Sequence, residues 1–265
     1  MLLCKFIQLA KNCVKNSNFS FIRSKSVVSS YNEWDPLEEI IVGRAEGCMH
    51  PPATRETKIR ITKENWEKFQ LKASTPYPSD VVNKAKKQVD EFINVLKGEG
   101  VVVRRPEKID YTKMGKYKTP NFESTGYINT CPRDGTLIIG EEIIEAPMSF
   151  KSRYFETEPM KDLFNEYFEG GAKWTLAPKP RMKSDLYYKV ILKKNTLKVG
   201  IKKYRRRREL RQIVIENFPY YDIKERTKLL HEGKYGLTEK EVAFDAADII
   251  RFGKDIFVYR TIVIC

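Results

Sequence analysis

The sequence predicts an α/β fold assembled from repeating units, each an antiparallel strand pair followed by a helix and a returning strand. Three observations predict it. Apolar pairs interrupted by a glycine and charged residues recur at 136–147 and 248–259. Amphipathic helical spacing appears at 79–97 and again after Pro159. Short β-branched runs follow directly on the glycines that stop those helices. Recurrence of one supersecondary pattern is the mark of a repeat architecture, in which neighbours cover faces that a single unit leaves bare. An ordinary α/β sandwich would use the same elements.

Taken in order, LEEIIV at 37–42 reads as a strand punctuated by Gly43. Residues 51–78 are mixed, with Pro51, Pro52, Pro76 and Pro78 marking loops. Ser79 or Asp80 is placed to cap a helix running to Lys97. Its apolar face carries Val81, Val82, Ala85, Val89, Phe92, Ile93 and Leu96, and Gly98 and Gly100 end it. A buried strand is expected at 101–103. TLIIGEEIIEAP then reads as a hairpin turning at Gly140, Glu141 and Glu142. Pro159 suits the first position of a helix with Met160, Leu163, Phe164, Tyr167 and Phe168 on one face. Gly170 and Gly171 stop it, and AKWTLAP returns as a strand. DIIRFGKDIFVY at 248–259 repeats the hairpin pattern.

A chain of 265 residues can bury one sizeable core or two small ones. No apolar run approaches the ~20 residues of a membrane-spanning helix. Five cysteines, scattered and odd in number, argue against a secreted disulfide framework, and no CxxC or His/Cys cluster suggests zinc. The net charge of +14 points toward nucleic acid until its distribution is read. Two segments carry all of it, +5 before residue 33 and +10 at 189–211, and the remaining body is near neutral.

The first segment has five Lys/Arg, no acidic residue, and interleaved serine and apolar side chains. That composition suits a mitochondrial presequence over 1–27, and it also suits a basic tail. The second lies in a stretch at 189–218 that combines dense charge with β-branched residues and has no stable amphipathic period. It reads either as an arm for nucleic acid or anionic lipid or as an exposed insertion.

Seven strings together resemble the glycine amidinotransferases. They are VSSYNEWDPLEEIIVGRAE (28–46), EGVVVRRP (99–106), YKTPNFESTG (117–126), CPRD (131–134), EEIIEAPM (141–148), GAKWTLAPKP (171–180) and FDAADIIRFGKDIF (244–257). The resemblance covers about 28–188 and 219–260. It implies a pentein-type α/β propeller of five ββαβ modules, of which this chain would carry about half. On that reading 28–265 is one partial domain, interrupted by a foreign insertion at 189–218. The resemblance favours the insertion over the nucleic-acid arm.

The family moves an amidino group from L-arginine to glycine through a covalent amidino-cysteine intermediate. A thiolate attacks the guanidinium carbon, a histidine handles protons, and carboxylates grip the planar fork of donors. By position, Asp245 in FDAAD matches the family's catalytic aspartate, the partner of that histidine. Asp134 in CPRD matches a carboxylate that holds the arginine. The histidine, several dozen residues beyond FDAAD, and the late cysteine have no counterpart here. His50, His231, Cys48, Cys131 and Cys265 stand in other contexts, and Asn121 stands where the family often carries Asp. The resemblance thus implies a mitochondrial transferase without cofactor or metal, and a chain inactive as written. It also implies a homodimer in the full-length family, peripheral association with the mitochondrial inner membrane, and no nucleic-acid partner. The other readings are a non-catalytic chain binding guanidino compounds or a full-length subunit, and a basic-arm binder.

Overall fold

The computed structural model describes residues 26–125, 129–182 and 242–259. The expected presequence, apart from Ser26 and Val27, and the expected insertion at 189–218 lie outside them. Ser26 is buried, and Val27 donates its N–H to Gly170 O at 3.2 Å.

The first unit is a βαβ crossover. β1 (Glu39–Ile41) pairs in parallel with β2 (Val102–Arg104), in register Glu39 with Val102 and Ile41 with Arg104. Between them run α1 (Arg55–Arg60), α2 (Lys63–Lys72) and the long α3 (Ser79–Gly98). The first two occupy the 51–78 stretch that the sequence leaves mixed, between the prolines that mark its loops. Pro78 takes the cap position of α3, with no side-chain cap, instead of Ser79 or Asp80. Val82, Ala85, Val89, Ile93 and Leu96 form the covered stripe, while Val81 and Phe92 are exposed. Their exposure narrows the apolar face that helical spacing suggests. The strand after α3 also differs from expectation, because Val101 is buried and Val102 points to solvent.

A short antiparallel hairpin follows, β3 (Lys116–Lys118) with β4 (Glu123–Thr125). The second unit is the complete ββαβ module. β5 (Thr136–Ile139) pairs antiparallel with β6 (Glu142–Glu145). Gly140, at φ +59°, allows the turn between them. A 3-10 turn at Glu158–Met160 leads into α6 (Lys161–Glu169), and α4 (Tyr111–Met114) and α5 (Pro132–Gly135) are single helical turns earlier in the chain. β7 (Lys173–Leu176) then returns parallel to β6. β8 (Ile249–Phe252) and β9 (Asp255–Val258) form the last hairpin.

Two apolar clusters hold the second unit. Ile143, Met160, Phe164 and Ala172 pack α6 onto the sheet, with Trp174 edge-on to Phe164 at 5.7 Å. Burying a ring such as Phe164 stabilises the fold by roughly 2–3 kcal/mol. Leu137, Ala146 and Met148 pack with Ala246 and Ile249, which brings the 244–249 segment against the hairpin. Met182 and Ala243, on either side of the undescribed 183–241, are both fully buried in one cluster with Phe122 and Tyr154.

The 26–33 segment laces the units together. Ser30 bridges Gly140, and Asn32 bridges Phe252. Glu33 then takes the fork of Arg251 at 2.8 and 2.9 Å, while Arg251 also donates to Ser30 Oγ and Ile138 O. Beyond β1, Gly43 allows a close backbone approach: a Cβ there would lie 2.5 Å from Asn129 O and Thr130 O. That contact and the Arg44–Asn129 bridge hold residues 129–130, just before residues 131–134, against the chain beyond β1.

Candidate functional site

Cys131 stands at the N-cap of α5, and Pro132, Arg133 and Asp134 lie within it. Pro132 stands in its first turn, where a missing N–H costs nothing. The adjacent Arg133 is an internal staple. It donates to Ala246 O and, at 2.6 Å, to Ile249 O, so the CPRD and FDAAD segments are joined across more than a hundred residues. Asp134 follows, its side chain 28% exposed. Asp245 has an extended backbone before the 3-10 turn at Ala246–Asp248 and is buried. The two residues that the resemblance selects are therefore brought to one place.

A guanidinium from a third segment joins them. Met148 has φ +57°, a left-handed conformation uncommon for a long side chain, and redirects the chain out of β6. The residues that follow carry the remaining polar groups. Ser149 donates its N–H and Oγ–H to Asp245 Oδ1 at 3.4 and 3.3 Å. Arg153 Nη1 lies 2.9 Å from Asp134 Oδ2 and 3.7 Å from Asp245 Oδ2. Its Nε and Nη2 donate to Glu156 Oε2 at 2.6 and 2.5 Å. The side chains of Arg153, Glu156 and Asp245 are almost fully enclosed, and Asp134 forms the outer edge.

Charge in this group is strongly coupled. Burial works against a charged Arg153, but Glu156, Asp245 and Asp134 more than offset it and hold the guanidinium protonated above its ordinary range. Burial pushes the Glu156 carboxyl up to about 7; Arg153 opposes that rise, and Asp134 and Asp245 add to it. Glu156 Oε1 has no hydrogen-bond partner among the described residues. The cation among these carboxylates is the guanidinium of Arg153. A metal ion would have to displace it. No group of three or more His, Cys, Asp or Glu among the described residues is placed to hold one.

The other candidates stand apart in kind. Burial pushes the Cys48 thiol up to about 11, and it donates to Ala45 O at 2.6 Å. Cys131 is exposed. His50 stacks on Tyr77 at 3.8 Å, and burial, then Lys72, push its titration down. With Phe69, Phe150, Ser152 and Arg153 it lines a cavity of about 230 Å³. Asn121 sits at the exposed turn between β3 and β4. His231 and Cys265 lie outside the described residues. Sequence reasoning missed Ser149, Arg153 and Glu156. The only signal was an Arg and a Glu three apart inside the aromatic string FKSRYFE, placed to pair with each other if the fold encloses that stretch.

No family model matches the chain. It is 43% identical to mitochondrial glycine amidinotransferase of Gallus gallus over 234 residues, 88% of this chain and 49% of that protein. The counterpart from Xenopus tropicalis matches equally, and the L-arginine:L-lysine amidinotransferase of Pseudomonas savastanoi pv. phaseolicola is 35% identical over 242 residues, 57% of its length. The chain spans about half the length of the curated relatives it matches. Among solved structures, an amidinotransferase of Microseira wollei from the saxitoxin biosynthetic pathway superposes with a TM-score of 0.66 at 36% identity. The match covers 87% of this chain and 56% of that one. The inosamine-phosphate amidinotransferase of Streptomyces griseus gives 0.67 at 34% identity, covering 88% and 55%. Sequence and fold together identify the chain as a relative of the amidinotransferases, matching about half of their length.

Proposed function

We propose that these residues form the carboxylate side of an amidinotransferase site, in a protein that moves the amidino group of L-arginine to glycine and releases ornithine. Asp134 at the outer edge grips the substrate guanidinium, and Asp245 orients the histidine that passes protons. The cysteine thiolate forms a bond to the guanidinium carbon and the ornithine amine leaves with a proton. Glycine nitrogen then displaces the sulfur. On this reading the described residues belong to a five-module ring, and the protein acts in mitochondria as a homodimer peripheral to the inner membrane. The 265 residues bind L-arginine without turning it over: burial pushes the Cys48 thiol up and the His50 titration down, and Cys131, His231 and Cys265 stand outside the contexts of the family's catalytic histidine and cysteine.

One observation carries the reading. Asp134 and Asp245 arrive from distant segments around a guanidinium plane, and Asp134 keeps an exposed edge. Carboxylates so placed suit a second guanidinium from solution. Calorimetric titration of the full chain with L-arginine tests it. Asp134→Asn should weaken binding at least about tenfold, the loss expected when a charge-assisted contact is removed. Absence of binding by the unmodified chain, or ornithine release from L-arginine and glycine, overturns the reading.

A further inference from the structure

We propose that Arg153 is a positioning residue for substrate binding: its Nη1 edge pins Asp134 and Asp245 in one orientation, and Glu156 anchors it from behind. The proposal rests on the reading that Asp134 meets the guanidinium of L-arginine. Three features of the geometry support it. First, one nitrogen faces both aspartates, at 2.9 and 3.7 Å, so the pair shares a single positive charge. Two carboxylates this close would otherwise repel one another and splay. Second, Nε and Nη2 are both committed to Glu156 Oε2, which fixes the plane of the fork. Third, Asp245 is also held by Ser149, so the only partly exposed member is Asp134, and the order imposed from behind ends at the group that meets the ligand.

The arrangement makes Glu156 a governor of the other three groups. When it is ionised, Arg153 is drawn back and Asp134 keeps more of its charge for an incoming guanidinium. When it is protonated, the whole fork turns toward the aspartates and competes with the ligand. Arg153 contacts Glu156 directly, Asp134 and Asp245 raise its titration through their charge, and Tyr111, Tyr117 and Cys48 feel its charge in turn. Because Glu156 titrates near 7, affinity for L-arginine should rise with pH across neutrality.

The test uses the full chain and L-arginine, titrated calorimetrically between pH 6 and 8. The unmodified protein should gain about fivefold in affinity over that range, the low end of usual site-to-site coupling. Glu156→Gln should bind with a flat pH profile at the weaker, low-pH level. Arg153→Lys keeps the charge but loses the fork, and should lower affinity about tenfold with its circular dichroism unchanged. A profile in Glu156→Gln identical to that of the unmodified chain overturns the proposal, as does full affinity in Arg153→Lys. A second readout needs no ligand. The Glu156 carboxyl, followed by carbon NMR, should titrate about half a pH unit lower in Asp134→Asn and in Asp245→Asn, since each removes a neighbouring negative charge. An unmoved midpoint in both variants overturns the positioning role even if arginine does not bind. Absence of arginine binding with a moved midpoint overturns only the assignment of Asp134.

Discussion

Glu145 is a buried carboxylate that accepts from three side chains, and substituting it separates the contribution of charge from that of hydrogen bonding. Its side chain is 1% exposed, at the end of β6. Oε1 accepts from Lys161 Nζ at 2.5 Å and from Trp174 Nε1 at 2.8 Å, and Oε2 accepts from Thr157 Oγ1 at 2.6 Å. Glu145→Ala strands all three donors. Lys161 is one-quarter exposed and recovers some hydration, so the loss should fall near the lower end of the ~3–5 kcal/mol seen when a buried pair is broken. Glu145→Gln keeps an oxygen for Lys161 and Trp174, and its amide donates to the Thr157 hydroxyl. It loses the charge and the acceptor for the Thr157 hydroxyl hydrogen, which must turn away, and should cost about 1–2 kcal/mol. Urea unfolding followed by circular dichroism reads both, with hydrogen exchange along β6 and β7 locating the change. Equal losses in the two variants, or a loss below about 1 kcal/mol in the alanine variant, refute the reasoning.

Two further outcomes follow from the electrostatics. Arg251's hydrogen bonds hold the Glu33 carboxyl down to about 2, below its ordinary 4.5, against the opposing effect of burial. A depressed carboxyl stabilises the fold fully above 4.5 and loses that contribution as pH falls toward 2. Because the Glu33 side chain is one-third exposed, the neutral-pH gap between the unmodified chain and Glu33→Gln should be only about 1 kcal/mol, and it should close by pH 2 in thermal melts; a gap persisting at pH 2 counts against it. Cys48, buried and with its thiol pushed up to about 11, should resist iodoacetamide at pH 8 until denaturant is added, while exposed Cys131 reacts. Peptide mass spectrometry showing equal labelling of both would contradict that.

What the sequence disclosed followed from how local each signal was. The long helix and the hairpins at 136–145 and 249–258 were legible because glycine turns and amphipathic spacing act over a few residues, whereas the hairpin of β3 and β4 was not foreseen. α2 was not, since it is polar nearly all round and only Trp66 among its described side chains is buried. The exposure of Val81, Phe92 and Val102 was equally hidden, because apolar identity does not say which side a neighbour covers. Asp134 and Asp245 were selected by motif context alone, and the structure brings both beside Arg153. Arg153 and Glu156 were not selected, because their meaning depends on a fold that places a charge pair behind two aspartates distant in sequence.

Met182 and Ala243 have a consequence for how this protein tolerates change. Both are fully buried and share one cluster with Phe122 and Tyr154, although they lie far apart in sequence. A change at either is therefore felt by the other: a larger side chain at Ala243 overpacks space that Met182 already fills, at a cost of about 1–3 kcal/mol. Variation at one position is accepted only with a compensating change at the other.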